Sequence, residues 1–119
     1  MVYGIYLSLD QTKWAYGDYS SSNKLTFTIY SDVGLTAAFN LTGYTLKIRL
    51  FKSRWHTADY LNQDADIVTA ASGTGSYTAA QGEMPGSGLY LVKVELAKSG
   101  EVMSTLNDVE LMIVGGPTA

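Results

Sequence analysis

Few side chains in this sequence have the types and spacing that catalysis or metal binding requires. His56 is the only histidine, and Asp59 is the one acidic residue close to it in sequence. Metal sites combine several such ligands, so a surface or loop histidine is favoured over a metal ligand or a general base. A serine nucleophile also needs a placed histidine, and one isolated histidine predicts no triad. We therefore expect no enzymatic activity, no catalytic residue, no metal and no cofactor.

The segment Asn62-Gln-Asp-Ala-Asp66 is the nearest approach to a calcium motif. Its alternating oxygen ligands are how calcium-binding loops begin. The sixth position, where such loops have glycine, is Ile67, and the twelfth, where they have glutamate, is Gly73. The sequence therefore predicts an exposed acidic loop, with weak calcium binding as the alternative.

Aromatic side chains outside the predicted strands are better candidates for a function. Nine tyrosines and two tryptophans are more than a core of this size needs. Aromatic residues are enriched in the cores of protein interfaces, and they also stack on sugar rings. One interpretation is that they cap the open ends of the fold, and the other is that they contact a partner. The candidate contact residues are Trp14, Tyr16, Tyr19, Trp55 and Tyr60.

Strands must position these side chains, because apolar residues alternate with polar ones and no sustained helical period is present. The alternation is clearest from Tyr44 to Leu50, after a turn at residues 40–43, and it recurs at residues 89–97. Further strands are predicted at residues 1–9, 25–30, 67–71, 76–79 and 103–114, with irregular segments at residues 10–22 and 53–66. The predicted core residues are Leu46, Ile48, Tyr90, Val92, Val94 and Leu111.

This pattern of short strands separated by turn signals predicts one all-β domain over residues 1–119. The expected architecture is an immunoglobulin-like antiparallel β-sandwich of about seven to eight strands with little helix. The segment Gly86-Ser-Gly-Leu-Tyr90 has the spacing of a tyrosine corner. We therefore predict that the Tyr90 hydroxyl bonds to main chain within residues 81–86.

The composition indicates a folded domain and argues against two classes of partner. Hydrophobic residues make up 46% of the chain and charged residues 16%, as in globular proteins. A net charge of −3 argues against a nucleic-acid partner, which needs a basic surface. Cysteine is absent, which excludes a disulfide framework. No apolar run has the length of a membrane span and no signal segment is visible, so we expect synthesis in a cytoplasm and no membrane partner.

Basic residues are nevertheless concentrated in one short part of the chain. The favoured interpretation is the solvated face of a strand, paired with Glu95 or Glu110 on neighbouring strands, and the alternative is a surface for an anionic partner. The four residues are Lys47, Arg49, Lys52 and Arg54.

Four segments together carry a family resemblance. They are Lys24-Leu-Thr-Phe-Thr-Ile-Tyr-Ser-Asp32, Phe39-Asn-Leu-Thr-Gly-Tyr-Thr-Leu-Lys-Ile-Arg-Leu50, Gly86-Ser-Gly-Leu-Tyr-Leu-Val-Lys-Val94 and residues 105–114. This pattern resembles the immunoglobulin-like N-terminal domain of tailed-phage baseplate upper proteins, and similar domains of other phage tail and head-fibre proteins. Residues 53–66 and the aromatic stretch after Asp10 have no counterpart in it.

The resemblance implies a non-enzymatic structural component of a tailed-phage virion, in the baseplate, tail, head fibre or capsid decoration. Such a protein would be made in the host cytoplasm, reside in the virion, form homo-oligomers and contact other virion proteins. Trp14 and Trp55 are the residues expected nearest to such a contact. The alternative function is a carbohydrate- or receptor-binding β-sandwich module that uses the loop aromatics.

Overall fold

Nine β-strands and one 3₁₀ turn make up the part of the chain described by the computed structural model, which is residues 4–16, 24–32, 34–52, 61–79, 86–107 and 109–116. The strands are β1 (Tyr6–Leu9), β2 (Lys13–Ala15), β3 (Leu25–Tyr30), β4 (Thr45–Phe51), β5 (Leu61–Thr69), β6 (Thr74–Tyr77), β7 (Gly88–Lys98), β8 (Glu101–Ser104) and β9 (Val109–Val114). The 3₁₀ turn, Ala70–Ser72, joins β5 to β6. The predicted all-β class with little helix is confirmed.

The strands form one mixed sheet that curls on itself in the order β1-β3-β6-β5-β4-β7-β9-β2, with β8 also paired to β7. Strand β5 turns the corner, because Leu61 to Ala65 pair with β4 whereas Asp66 to Thr69 pair with β6. The order β1-β3-β6-β5 facing β4-β7-β9 is the strand arrangement of an immunoglobulin-type sandwich. Among the strand pairs of the described residues, only β2 with β9 is parallel.

The pairing of β4 with β7 is the most regular part of the sheet. Its register runs without interruption from Thr45↔Ala97 to Phe51↔Leu91. Because alternate side chains of a strand point to opposite faces, this register brings the apolar residues of both strands together on one side. All six predicted core residues are buried there or on β9, as predicted: Leu46, Ile48, Tyr90, Val92, Val94 and Leu111.

Strand β7 also carries the predicted tyrosine corner. The Tyr90 hydroxyl donates a hydrogen bond to the Gly86 carbonyl oxygen over 2.6 Å, while the ring is buried in the core. The prediction for this hydroxyl is confirmed. The bond ties the entry of β7 to the centre of the sandwich.

Two segments that the sequence predicted to be irregular contain strands. Strand β2 lies within residues 10–22, and it is too short for its three residues to show a period; its parallel pairing with β9 makes it a strand. The first part of β5 lies within residues 53–66. Polar Gln63 and small Ala65 stand opposite Ile48 and Leu46, so the sequence lacks the apolar alternation of a strand. The continuous register with β4 holds this part of β5 extended.

The predicted last strand, residues 103–114, is also interrupted. Its first part belongs to β8 and its second to β9, and between them the main chain turns toward the start of the domain. Thr105 forms an isolated parallel bridge with Ile5, and the Leu106 N–H donates to the Ile5 carbonyl oxygen over 2.9 Å. The Thr105 N–H still donates to the Val94 carbonyl oxygen of β7, so the break comes at Leu106, whose N–H bonds Ile5 instead.

Candidate site at the open edge and outer face of the sheet

The structure places Trp14 in the core. It lies on β2 with 1% of its surface exposed, and its ring packs edge-to-face on Tyr77 with a centroid separation of 5.8 Å. The predictions that Trp14 belongs to a loop and lies at a partner contact are therefore wrong, because a fully buried ring presents no surface to a partner. Trp14 is therefore part of the hydrophobic core.

The remaining candidate aromatics are less informative. Tyr16 is 37% exposed and directly follows β2, with its ring against Gly116, where no side chain would fit. Tyr19, Trp55 and Tyr60 lie outside the described residues, as does His56. Tyr16 is therefore the predicted contact residue for which the structure gives an exposed ring.

The acidic segment lies on a strand and not in a loop. Asn62, Asp64 and Asp66 are exposed alternate residues of β5. A strand rises about 3.3 Å per residue, so alternate side chains lie roughly 6–7 Å apart, whereas a calcium loop wraps its ligands around one ion. The loop prediction is wrong, and the extended geometry does not suit calcium. Within the described residues, no three His, Cys, Asp or Glu side chains are grouped as a metal site.

The basic residues of β4 lie on the outer face of the sheet among acidic partners. Lys47 stands in register with Asp64 on one side and Glu95 on the other. Arg49 forms an ion pair with Glu95 over 3.3 Å and lies over the ring of Phe51, 5.1 Å from its centroid. The predicted pairing of this strand face with Glu95 is confirmed for Arg49. Arg54 lies outside the described residues.

Beyond these charges, the outer face becomes apolar. Leu89 is 47% exposed on β7 and stands opposite Met112 of β9, which is 41% exposed. Val114, 36% exposed, lies two residues further along the same face of β9, and Ala15 of β2 is its neighbour. We name Leu89, Leu91, Met112 and Val114 the outer patch. It is a partly exposed apolar surface on two adjacent strands, β7 and β9, and contiguous apolar patches often mark interaction sites.

A groove lies between β1 and β9, which do not pair. It has a volume of about 730 Å³ and is bordered by β1, by the β1–β2 link, by the turn after β3 and by the start of β9. We name it the edge groove. Its lining includes Leu9, Leu35, Leu91, Asn107, Val109 and Glu110.

Side chains replace main-chain pairing at one end of this groove. The Asn107 carboxamide accepts a hydrogen bond from the Leu7 N–H and donates one to the Leu7 carbonyl oxygen, both over 2.8 Å. The Lys93 ammonium donates to the carbonyl oxygens of Thr105 and Asn107, each over 3.1 Å. The Asn107 bonds attach the segment between β8 and β9 to the edge of β1, and the Lys93 bonds attach the same segment to β7.

The turn after β3 forms another wall of the groove. Leu35 is held at φ 57°, a left-handed conformation that is unfavourable for leucine. The Asp32 carboxylate fixes this turn by accepting hydrogen bonds from the Thr36 hydroxyl and from the Thr36 and Ala37 N–H groups. The hydrogen bond from the Thr36 hydroxyl, with the one from the Ala37 N–H, lowers the pKa of Asp32 below its ordinary value.

Sequence reasoning did not identify the edge groove or Asn107. The bond between Asn107 and Leu7 joins residues 100 positions apart, and no local pattern marks it.

No helix in the described part of the chain is both long and apolar enough to cross a membrane. No family model, curated protein or solved structure matches this chain.

Proposed function

We propose that this protein is a non-enzymatic structural component of a tailed-phage virion and that it works through protein–protein contacts, including contacts with copies of itself. The sequence resemblance supports the virion setting. The outer patch supports the mode of action and is the observation that carries the proposal.

The outer patch has the make-up of an interface core. Leu89 and Met112 face solvent directly opposite each other, and Leu91 extends the patch along β7. Fully burying a leucine or methionine side chain contributes about 1.5–3 kcal/mol, so a partner that covers this patch gains several kcal/mol. Lys13 and Glu110 are the charged neighbours on the same face and form the polar rim typical of interfaces.

Lysine substitutions in the outer patch test the proposal. Leu89→Lys and Met112→Lys place a charge in the contact while leaving the core residues unchanged. The matched control is Val102→Lys, because Val102 is 66% exposed on β8, opposite Ala97, outside the patch. We expect both patch variants to lose oligomer mass in light scattering, or incorporation into particles, at unchanged unfolding temperature, while Val102→Lys assembles normally. Normal assembly by both patch variants would overturn the proposed contact.

The carbohydrate-binding alternative has less support. Of the five aromatic candidates, Trp14 is buried, and Tyr16 is the one with a described exposed ring. A glycan array probed with the protein and with Tyr16→Phe and Tyr16→Ala variants decides it. Binding that survives Phe and is lost with Ala would favour a sugar-stacking role.

A further inference from the structure

We infer that the edge groove binds an extended peptide segment of a partner protein, which adds a strand between β1 and β9. This inference rests on the proposed function and specifies one of its contacts. Its basis is the direction of the main-chain groups at the groove and the chemistry of the groove walls. A third observation is that the Asn107 carboxamide already bonds to the main chain of β1 as a peptide group would.

The main-chain groups of Leu9 point into the groove. Asp10, the residue after β1, continues the β1–β3 register opposite Thr26. Its N–H donates to the Thr26 carbonyl oxygen as in a hydrogen-bonded pair, while the Thr26 N–H donates to the Gln11 carboxamide oxygen. In antiparallel sheets such pairs alternate with non-bonded ones, so Leu9 and Leu7 direct their N–H and C=O groups away from β3. Asn107 satisfies these groups at Leu7. At Leu9, no described residue does so.

Glu110 presents a second strand edge to the same groove. The Met112 N–H donates to the Thr12 carbonyl oxygen over 2.9 Å, so Met112 directs its main-chain groups away from β7. By the same alternation Glu110, two residues earlier, does so too. The β2 register begins only at Lys13↔Met112, so it does not reach Glu110. Two edges with unused donors and acceptors therefore border one groove, and an inserted strand would bond to both.

Asn107 shows what chemistry this edge accepts. Its carboxamide has one donor and one acceptor in the plane of an amide, as a peptide group has, and it makes two 2.8 Å bonds to Leu7. Leu9 repeats the same pair of groups one strand period further along β1. A peptide main chain supplies the matching groups there, which is the mode of recognition by strand addition.

The side chains around the groove define the partner further. Leu9, Leu35, Leu91 and Val109 give it apolar walls, and a volume of about 730 Å³ lies within the range of ligand sites. The Glu110 carboxylate has no ion-pair partner among the described residues. The complementary segment alternates apolar residues with lysine or arginine, so that one face enters the groove and a basic side chain meets Glu110.

Leu35 carries backbone strain at this wall. Strained backbone that the surroundings hold in place is concentrated at binding and switch sites. The Asp32 hydrogen bonds keep the turn in this form, so the Leu35 wall is preorganised before a peptide arrives.

The probe is an array of decapeptides in which Val, Ile, Leu or Phe alternates with Lys or Arg, beside a matched array with Glu in the basic positions. We expect members of the basic array to bind at least tenfold more tightly than their acidic counterparts. Methylating alternate peptide nitrogens should weaken the best member at least tenfold, because it removes the donors that strand addition needs. Failure of every basic peptide to bind would overturn the inference.

Protein variants locate the binding. Glu110→Lys should weaken the best peptide at least tenfold, whereas Glu101→Lys, a matched change on the β7–β8 hairpin, should leave it unchanged. Amide exchange provides the direct readout, since peptide should slow exchange of the Leu9 and Glu110 N–H groups and leave that of Val102 unaltered. Equal effects of the two charge reversals, or protection confined to other strands, would overturn the inference.

The same measurements separate this inference from the proposed function. If Leu89→Lys abolishes assembly and the groove binds no peptide, the outer-patch contact stands and the groove inference falls. If peptide binds at Leu9 while outer-patch variants assemble normally, the outer-patch contact falls and the groove inference stands. Protection of Leu9 that rises with protein concentration in the absence of peptide would identify a second copy as the occupant and overturn the inferred partner peptide.

Discussion

Strands β4 and β7 pair along seven consecutive positions, whereas β1 and β9 do not pair and leave the edge groove between them. In the first region the main chain satisfies its own hydrogen bonds, and the inward side chains are free to fill the core. In the second region the carboxamide of Asn107 and the ammonium of Lys93 bond to main-chain groups that have no strand partner there.

This difference predicts how substitutions in each region should destabilise the fold. Substitutions at the β4–β7 pair should act through lost burial and cavities, while those at the β1–β9 opening should act through hydrogen bonds left without a partner. It also indicates which of these two regions can bind a strand, because the edge groove retains strand edges that a partner can use and the β4–β7 pair does not.

The largest effect is expected at the centre of the β4–β7 pair. Ile48→Ala removes a fully buried side chain and leaves a cavity, so the free energy of unfolding should fall by about 2–5 kcal/mol in urea denaturation. Lys47→Ala, exposed on the same strand, is the control and should change it by no more than about 0.5 kcal/mol. Equal effects of the two substitutions would contradict the register of β4.

The next largest effect on stability is expected beside the edge groove. Asn107→Ala removes both bonds to Leu7, and the free energy of unfolding should fall by about 1–3 kcal/mol because partly buried donor and acceptor groups lose their partner. Exchange of the Leu7 N–H should accelerate, while that of Ile48 follows only the global loss. Asn107→Asp keeps an acceptor for the Leu7 N–H but loses the donor, so it should also destabilise. An unchanged Leu7 exchange rate would mean that Asn107 does not hold β1.

A smaller effect isolates one hydrogen bond within the regular region. Tyr90→Phe keeps the buried ring and removes the hydroxyl that bonds the Gly86 carbonyl oxygen, so the free energy of unfolding should fall by about 1 kcal/mol. Thermal and urea unfolding measure it, with Tyr44→Phe as the comparison at a half-buried tyrosine. If Tyr90→Phe is as stable as the wild type, the tyrosine corner contributes nothing to this fold.

The smallest effect concerns the wall of the groove and depends on pH. The pKa of Asp32 is lowered in the folded state, so its carboxylate stabilises the fold above the ordinary aspartate pKa, and this contribution is lost as the pH falls through the lowered value. Asp32→Asn should therefore lower the unfolding temperature slightly near neutral pH and not at all in strong acid. A difference between variant and wild type that stays constant from about pH 2 to about pH 7 would contradict this linkage.

Local patterns were sufficient for the elements whose two faces differ in polarity. The alternation in β3, β4 and β7 predicted their positions and buried faces, and the spacing before Tyr90 predicted the partner of its hydroxyl. These features depend on residues close together in sequence, because the period of a strand is local and the tyrosine corner spans four positions.

Other features were decided only by contacts between distant parts of the chain. Strand β2 exists through its pairing with β9, and that pairing turns Trp14 inward. Strand β5 remains extended because β4 bonds its first half and β6 its second, although Gln63 and Asp64 give no apolar alternation. The break before β9 and the groove beside it require Ile5 and Leu7 to meet residues about 100 positions later. The sequence by itself determined which strands are amphipathic. The tertiary structure decided which strand edges are paired and which remain unpaired. The reason is that hydrogen bonding between strands depends on spatial neighbours that no local pattern identifies.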